Sequence, residues 1–169
     1  MTYFIWFLRI VHILAGIFWV GGTLIMAFFV GPTMGATGEA GQKFVGHLVN
    51  NLKFSSRMSA AAGSTILAGF ILYWIDSNGF TSAWMSSGAG RGFGIGAAFA
   101  LIGFVFGLLV GRTTKAMAQL GAQIQGKPSS EQMAQLDKLR KQQVTYSNIT
   151  AVLLILAVIF MAIARYLVF

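Results

Sequence analysis

Four long apolar stretches, set apart by short polar brackets, organise this chain. The first runs over about 3–30 and ends at Gly31 and Pro32. The second, about 58–75, lies between Arg57 and Asp76; the third, about 92–111, lies between Arg91 and Arg112; the fourth covers about 144–164. Each comes close to the roughly 20 apolar residues that a helix needs to cross a bilayer. The pattern predicts an all-α integral membrane protein, a four-helix bundle forming one domain over 1–169. The first apolar run is too long for the h-region of a cleavable signal peptide and lacks a basic n-region, so none is expected.

The segments between spans carry helical patterning of their own. After Arg112, Met117, Leu120 and Ile124 recur at i, i+3 and i+7. "GKPSS", 126–130, reads as a turn: Pro128 stops the helix, and Ser129 with Gln132 fits a capping box that opens the next one. Met133, Leu136 and Arg140 then lead into the fourth span. Spans three and four are therefore expected to continue past the membrane as a helical hairpin, either packed on itself or offered to a neighbour. Residues 40–57 also read as helix, with Phe44, Leu48 and Leu52 along one stripe. This segment either lies in the interface or extends span two, and it holds His47. In span three, Gly92, Gly96 and Ala100 form one small-residue series and Gly103, Gly107 and Gly111 another, spacings that let helices approach closely in lipid.

Composition sharpens the class. Only 9% of the 169 residues are charged, against about a quarter in soluble domains. With no cysteine and two histidines, thiolate metal sites and disulfides are excluded. The net charge of +8 reads as a topology signal and as contacts to anionic lipid, not as a nucleic-acid surface. Lys43, Lys53, Arg57, Arg112, Lys115, Lys127, Lys138, Arg140 and Lys141 flank one side of the spans, nine of twelve basic residues; Arg9, Arg91 and Arg165 flank the other. The positive-inside rule puts the nine in the cytoplasm and both termini outside, as in a multi-pass protein of a bacterial plasma membrane.

Candidate chemistry is concentrated in "RIVHILAGIFWVGG", 9–22. Ionisable groups are expensive within a span and need a reason to be there. Arg9, His12, Gly16 and Trp19 lie at i, i+3, i+7 and i+10, within one quadrant of a helix. Such a face suits haem: the imidazole binds iron, the glycine admits the ring, and the arginine pairs with a propionate. Trp19 is too deep for an interfacial anchor and is expected to pack in the bundle. By contrast, "GAGRGFGIG", 88–96, follows no strand and opens a span, which excludes a dinucleotide loop.

The R-x-x-H-x-x-x-G-x-x-W-x-G-G pattern resembles the first helix of a group of small bacterial membrane proteins. These are the CopD-like domains of copper resistance, the HemJ-type protoporphyrinogen oxidases and the membrane domain of urate oxidases fused to cytochrome c. "FFVGPTM", 28–34, and "MAIARYL", 161–167, also resemble the CopD-like members. The resemblance implies a four-helix membrane fold with haem b or, second, copper on the first-helix histidine. Here that role falls to His12, with Arg9 and Trp19 as neighbours. HemJ-type proteins carry further basic residues in later helices, whereas span three has no Lys or His between Arg91 and Arg112, which argues against protoporphyrinogen oxidation.

His12 lies about 13 Å into the first span, and Met161 about 12 Å from the outer end of the fourth. A His12/Met161 pair of axial ligands is therefore one expectation, a five-coordinate His12 site another, and plain packing of Met161 a third. His47, on the other side, is expected at the surface. Asp76 is expected to pair with Arg9 or Arg165, which frees the other arginine for a propionate, a quinone headgroup or a phospholipid. These readings point to a small accessory subunit, embedded in the lipid bilayer beside larger membrane-protein partners, in an electron-transfer or metal-handling complex. The alternative is a haem-b or copper protein in its own right.

Overall fold

The computed structural model describes residues 2–124 and 126–168. It is helical throughout, with no strand among the described residues. In chain order the helices are α1 (Thr2–Ile25), a π-helical turn (Met26–Val30), α2 (Gly31–Thr37), α3 (Glu39–Asn50), α4 (Phe54–Asp76), α5 (Gly88–Gln123) and α6 (Ser130–Ile163). Four helical rods are long and apolar enough to cross a membrane: Thr2–Thr37, Phe54–Asp76, Gly88–Gln123 and Ser130–Tyr166. Their outward faces are apolar as well. Ile10, Ile13, Leu14, Ile17 and Phe18 of α1 are all exposed, a surface suited to hydrocarbon and not to water.

The first rod does not stop at Gly31 and Pro32 as the sequence pattern suggests. A proline has no N–H to donate, and its ring collides with the carbonyl four residues back. The chain meets this by widening one turn before it: Gly31 N–H reaches Met26 O, five residues back. The helix then resumes to Thr37, making a rod of 36 residues, about 54 Å at 1.5 Å per residue. Gly38 (φ 56°) turns the chain into α3, and Lys53 (φ 53°) turns it into α4. Residues 40–57 are thus neither one helix nor a simple extension of span two. Of the expected stripe, Phe44 is exposed and Leu48 half-buried on α3, and Leu52 lies beyond its end, exposed; Val45 and Val49 are half-buried.

Beyond Arg112 the chain stays helical up to and after the turn at 126–129. α5 continues unbroken to Gln123, and α6 opens with the Ser129–Gln132 capping box formed in both directions, at 3.2 and 2.9 Å. The seam between them is built on glycine. A Cβ on Gly92 would lie 2.9 Å from Ala164 Cα, one on Gly96 would lie 3.2 Å from Ala157 O, and one on Gly103 would lie 3.3 Å from Leu154 Cδ2. Gly107 and Gly111 depart from the expected close packing: a Cβ would meet only Thr150 Cγ2 at 4.0 Å in the first case and nothing within 4 Å in the second.

α1 packs chiefly on α4, and α5 on α6. The two pairs meet where Trp19, Ala62 and Leu154 bury one another, with Phe104 edge-on to the indole at 6.2 Å between ring centroids. At the other end of α4 the chain turns through Asn78, Gly79 and Phe80, all at positive φ. There Tyr73, Trp74, Phe80 and Trp84 cluster, and the Tyr73 hydroxyl donates to Gly90 O at 3.2 Å.

The glycine seam predicts a contrast. Gly96→Val should destabilise the protein by about 1–3 kcal/mol through overpacking against α6. Gly111→Ala should be neutral or stabilising, because its methyl meets no neighbour. Thermal midpoints of the two variants in one detergent check this.

Candidate functional site

His12, Gly16 and Trp19 of α1 all meet α4. His12 Nδ1 lies 2.8 Å from Thr65 O. A carbonyl only accepts, so Nδ1 carries a hydrogen and donates it in this contact. The imidazole lies over Gly69, where a Cβ would fall 2.7 Å from Cε1. One turn further along α1, Gly16 faces Thr65, and its own missing Cβ would sit 3.6 Å from Thr65 Cγ2. The next turn brings Trp19, 5% exposed, onto Ala62. The pairs 12–69, 16–65 and 19–62 each sum to 81, an antiparallel register without slip. Thr65 keeps its side chain from competing by donating its hydroxyl to Ala61 O at 2.8 Å.

Beside the imidazole, where the sequence reading expects a flat ligand to approach Gly16, the structure places Thr65 of α4. What remains for a ligand is His12 Nε2, which has no hydrogen-bond partner among the described residues.

The other candidates fall in separate places. Arg9 is half-buried on α1, and Arg165 is exposed in the short 3-10 turn that ends the fourth rod. The expected Asp76 ion pair does not form: Asp76 is exposed, and the sole ion pair among the described residues is Lys43 to Glu39 at 2.8 Å. Met161 packs on α5, with Cγ and Cε both 3.3 Å from the Cβ position of Gly96. Counting outward from the Trp19–Leu154 contact, seven residues reach His12 on α1 and seven reach Met161 on α6. The two therefore stand at a similar depth but line different seams. His47 is exposed on α3, before α4 begins, whereas Thr65 lies eleven residues into α4, about 16 Å along it. No group of three His, Asp or Glu side chains able to hold a metal occurs among the described residues.

A feature that the sequence reading missed begins at Trp19. A crevice of about 560 Å³ separates the two helix pairs, within the range of roughly 300–1,000 Å³ usual for small-molecule sites. Its inner end, in the middle of the bundle, is Trp19, Met58 and Phe104; its mouth holds Arg140 and Gln143; Val45 and Val49 of α3 cover one side. Gly107 and Gly111 line it, which explains why they pack on nothing. The available signal was Gln143, Ser147 and Thr150, polar residues at i, i+4 and i+7 entering an apolar span.

Comparison with protein-family models, curated proteins and solved structures returns no match for this chain.

If the α1 face serves α4, Gly16→Ala should change stability by less than about 0.5 kcal/mol, since its methyl reaches only ordinary contact distance. Gly69→Ala should cost about 1–3 kcal/mol by displacing the imidazole, and His12→Ala about 1 kcal/mol or more through the lost hydrogen bond. In the double variant the two costs should not add, because the ring that the new methyl meets is gone. A double-mutant cycle of unfolding free energies in detergent measures this.

Proposed function

We propose that this chain is a non-catalytic accessory subunit of a membrane electron-transfer or metal-handling complex. The observation that carries this reading is the use made of the α1 face: His12, Gly16 and Trp19 are spent on holding α4, not on framing a substrate. The resemblance of 9–22 to CopD-like and related first helices supplies the class of complex. In this reading the four rods form a bundle in a bacterial plasma membrane, with the nine-residue basic side in the cytoplasm and both termini outside. α5 and α6, 36 and 34 residues long, exceed a hydrocarbon core of about 30 Å by roughly 20 Å. Their far ends then stand in the cytoplasm as a hairpin against which a larger partner docks.

One observation favours a second reading, a haem-b or copper protein. A metal-bound histidine commonly donates its other ring N–H to a backbone carbonyl, which fixes the free nitrogen. His12 has this arrangement, which suits a five-coordinate site; Met161 stands at a similar depth but in the seam with α5. The seat of Thr65 beside Gly16 places this reading behind the first.

Purification from native membranes in mild detergent separates the two. The accessory reading predicts larger membrane proteins co-migrating with the chain, and a reduced-minus-oxidised spectrum without a b-type band assignable to it. A monodisperse lone protein with a near-stoichiometric b-type band, lost in His12→Ala with helicity unchanged, would establish the second reading instead.

A further inference from the structure

The crevice between the helix pairs has a shape and a polarity that identify an occupant. On α5 it extends from Phe104 to Met117, thirteen residues or about 20 Å. A crevice of that length and of about 560 Å³ suits a single extended hydrocarbon chain. The crevice also opens sideways: Leu108 and Val144 line it and are themselves 44% and 53% exposed. An acyl chain can therefore enter from the bilayer without passing through water.

The two ends differ in chemistry. At the inner end, Trp19, Met58 and Phe104 offer apolar surface. At the other end, Arg140 is the one charged side chain among the lining residues, and it is exposed and in no ion pair among the described residues. Gln143 stands beside it, held by donation of one amide hydrogen to Thr114 Oγ1 at 2.8 Å, which leaves its second hydrogen for a ligand. The surrounding end of the molecule is basic: nine Lys and Arg against Glu39, Glu131 and Asp137 leave a surplus of six positive charges. A tail site below a cationic, hydrogen-bonding mouth matches an amphiphile with an anionic head.

We propose that this crevice binds one anionic phospholipid, with an acyl chain along Trp19, Met58 and Phe104 and the phosphate at Arg140 and Gln143. The site is independent of the accessory role and of His12. Small residues keep it open: Gly107 and Gly111 stand where any larger side chain would fill it.

The test uses the full chain, delipidated in mild detergent, with native mass spectrometry against phosphatidylglycerol and phosphatidylcholine of identical acyl chains. The proposal expects one phosphatidylglycerol per chain, retained roughly tenfold more tightly than phosphatidylcholine. Arg140→Gln, a change at an exposed position, should erase that preference while leaving chain binding. Gly111→Leu should lower the affinity for both lipids, with helicity unchanged. Equal affinity for the two lipids, or a preference that survives Arg140→Gln, would overturn the headgroup assignment. Displacement of phosphatidylglycerol by a neutral isoprenoid quinone would do the same, and binding unchanged in a folded Gly111→Leu protein would overturn the location.

Discussion

An imidazole placed in an apolar helix must be answered by another polar group of the protein, because hydrocarbon offers none. Here one backbone carbonyl, Thr65 O, gives the answer at 2.8 Å. That contact sets the register of α1 on α4, and the register brings Trp19 to the point where the two helix pairs join. The same constraint governs the other polar side chains of the rods. Thr23, Thr65, Thr113 and Thr150 each return their hydroxyl to a carbonyl of their own helix. Few are left to reach across. His12 ties α1 to α4, Tyr73 ties α4 to α5, and Gln143 ties α6 to α5, one directed bond for each of these three pairs of rods. Between these bonds, packing of small residues does the rest, since lipid gives helices no hydrophobic reason to associate.

Much of the helical layout was legible because its signals are local. Apolar length marks a span, Pro128 with Ser129 and Gln132 marks a turn and a cap, and i, i+3, i+7 spacing carries α5 past Arg112. Pro32 misled because proline usually ends helices. Whether a neighbouring turn can widen to accept it depends on backbone hydrogen bonds that no residue type announces. The Asp76 pairing failed for a different reason: sharing a membrane level does not place two long side chains on facing sides.

The face of 9–22 was legible as a face, but its partner was not. A histidine followed by glycine has the same spacing whether the glycine admits a cofactor or a threonine from the next helix. Deciding between them needs the identity of the opposing surface, here Ala62, Thr65 and Gly69, which lies some fifty residues on. The crevice was invisible for the complementary reason. Gly103, Gly107 and Gly111 carry one spacing, yet only Gly103 has a close neighbour on α6; Gly107 and Gly111 line the crevice between the helix pairs.

The π-helical turn at Met26–Val30 has a geometric corollary. A turn that takes up one residue more than an α-helix sets everything after it back by about 100° around the axis. Residues before and after it occupy one rod but answer to different angular frames. Met34 and Gly35 thereby come to look into the crevice, and α3, attached just beyond them, is carried round to cover its side. A single surplus backbone unit in the first rod thus acts as a rotary adjustment, deciding from a distance which residues wall the space between the two helix pairs.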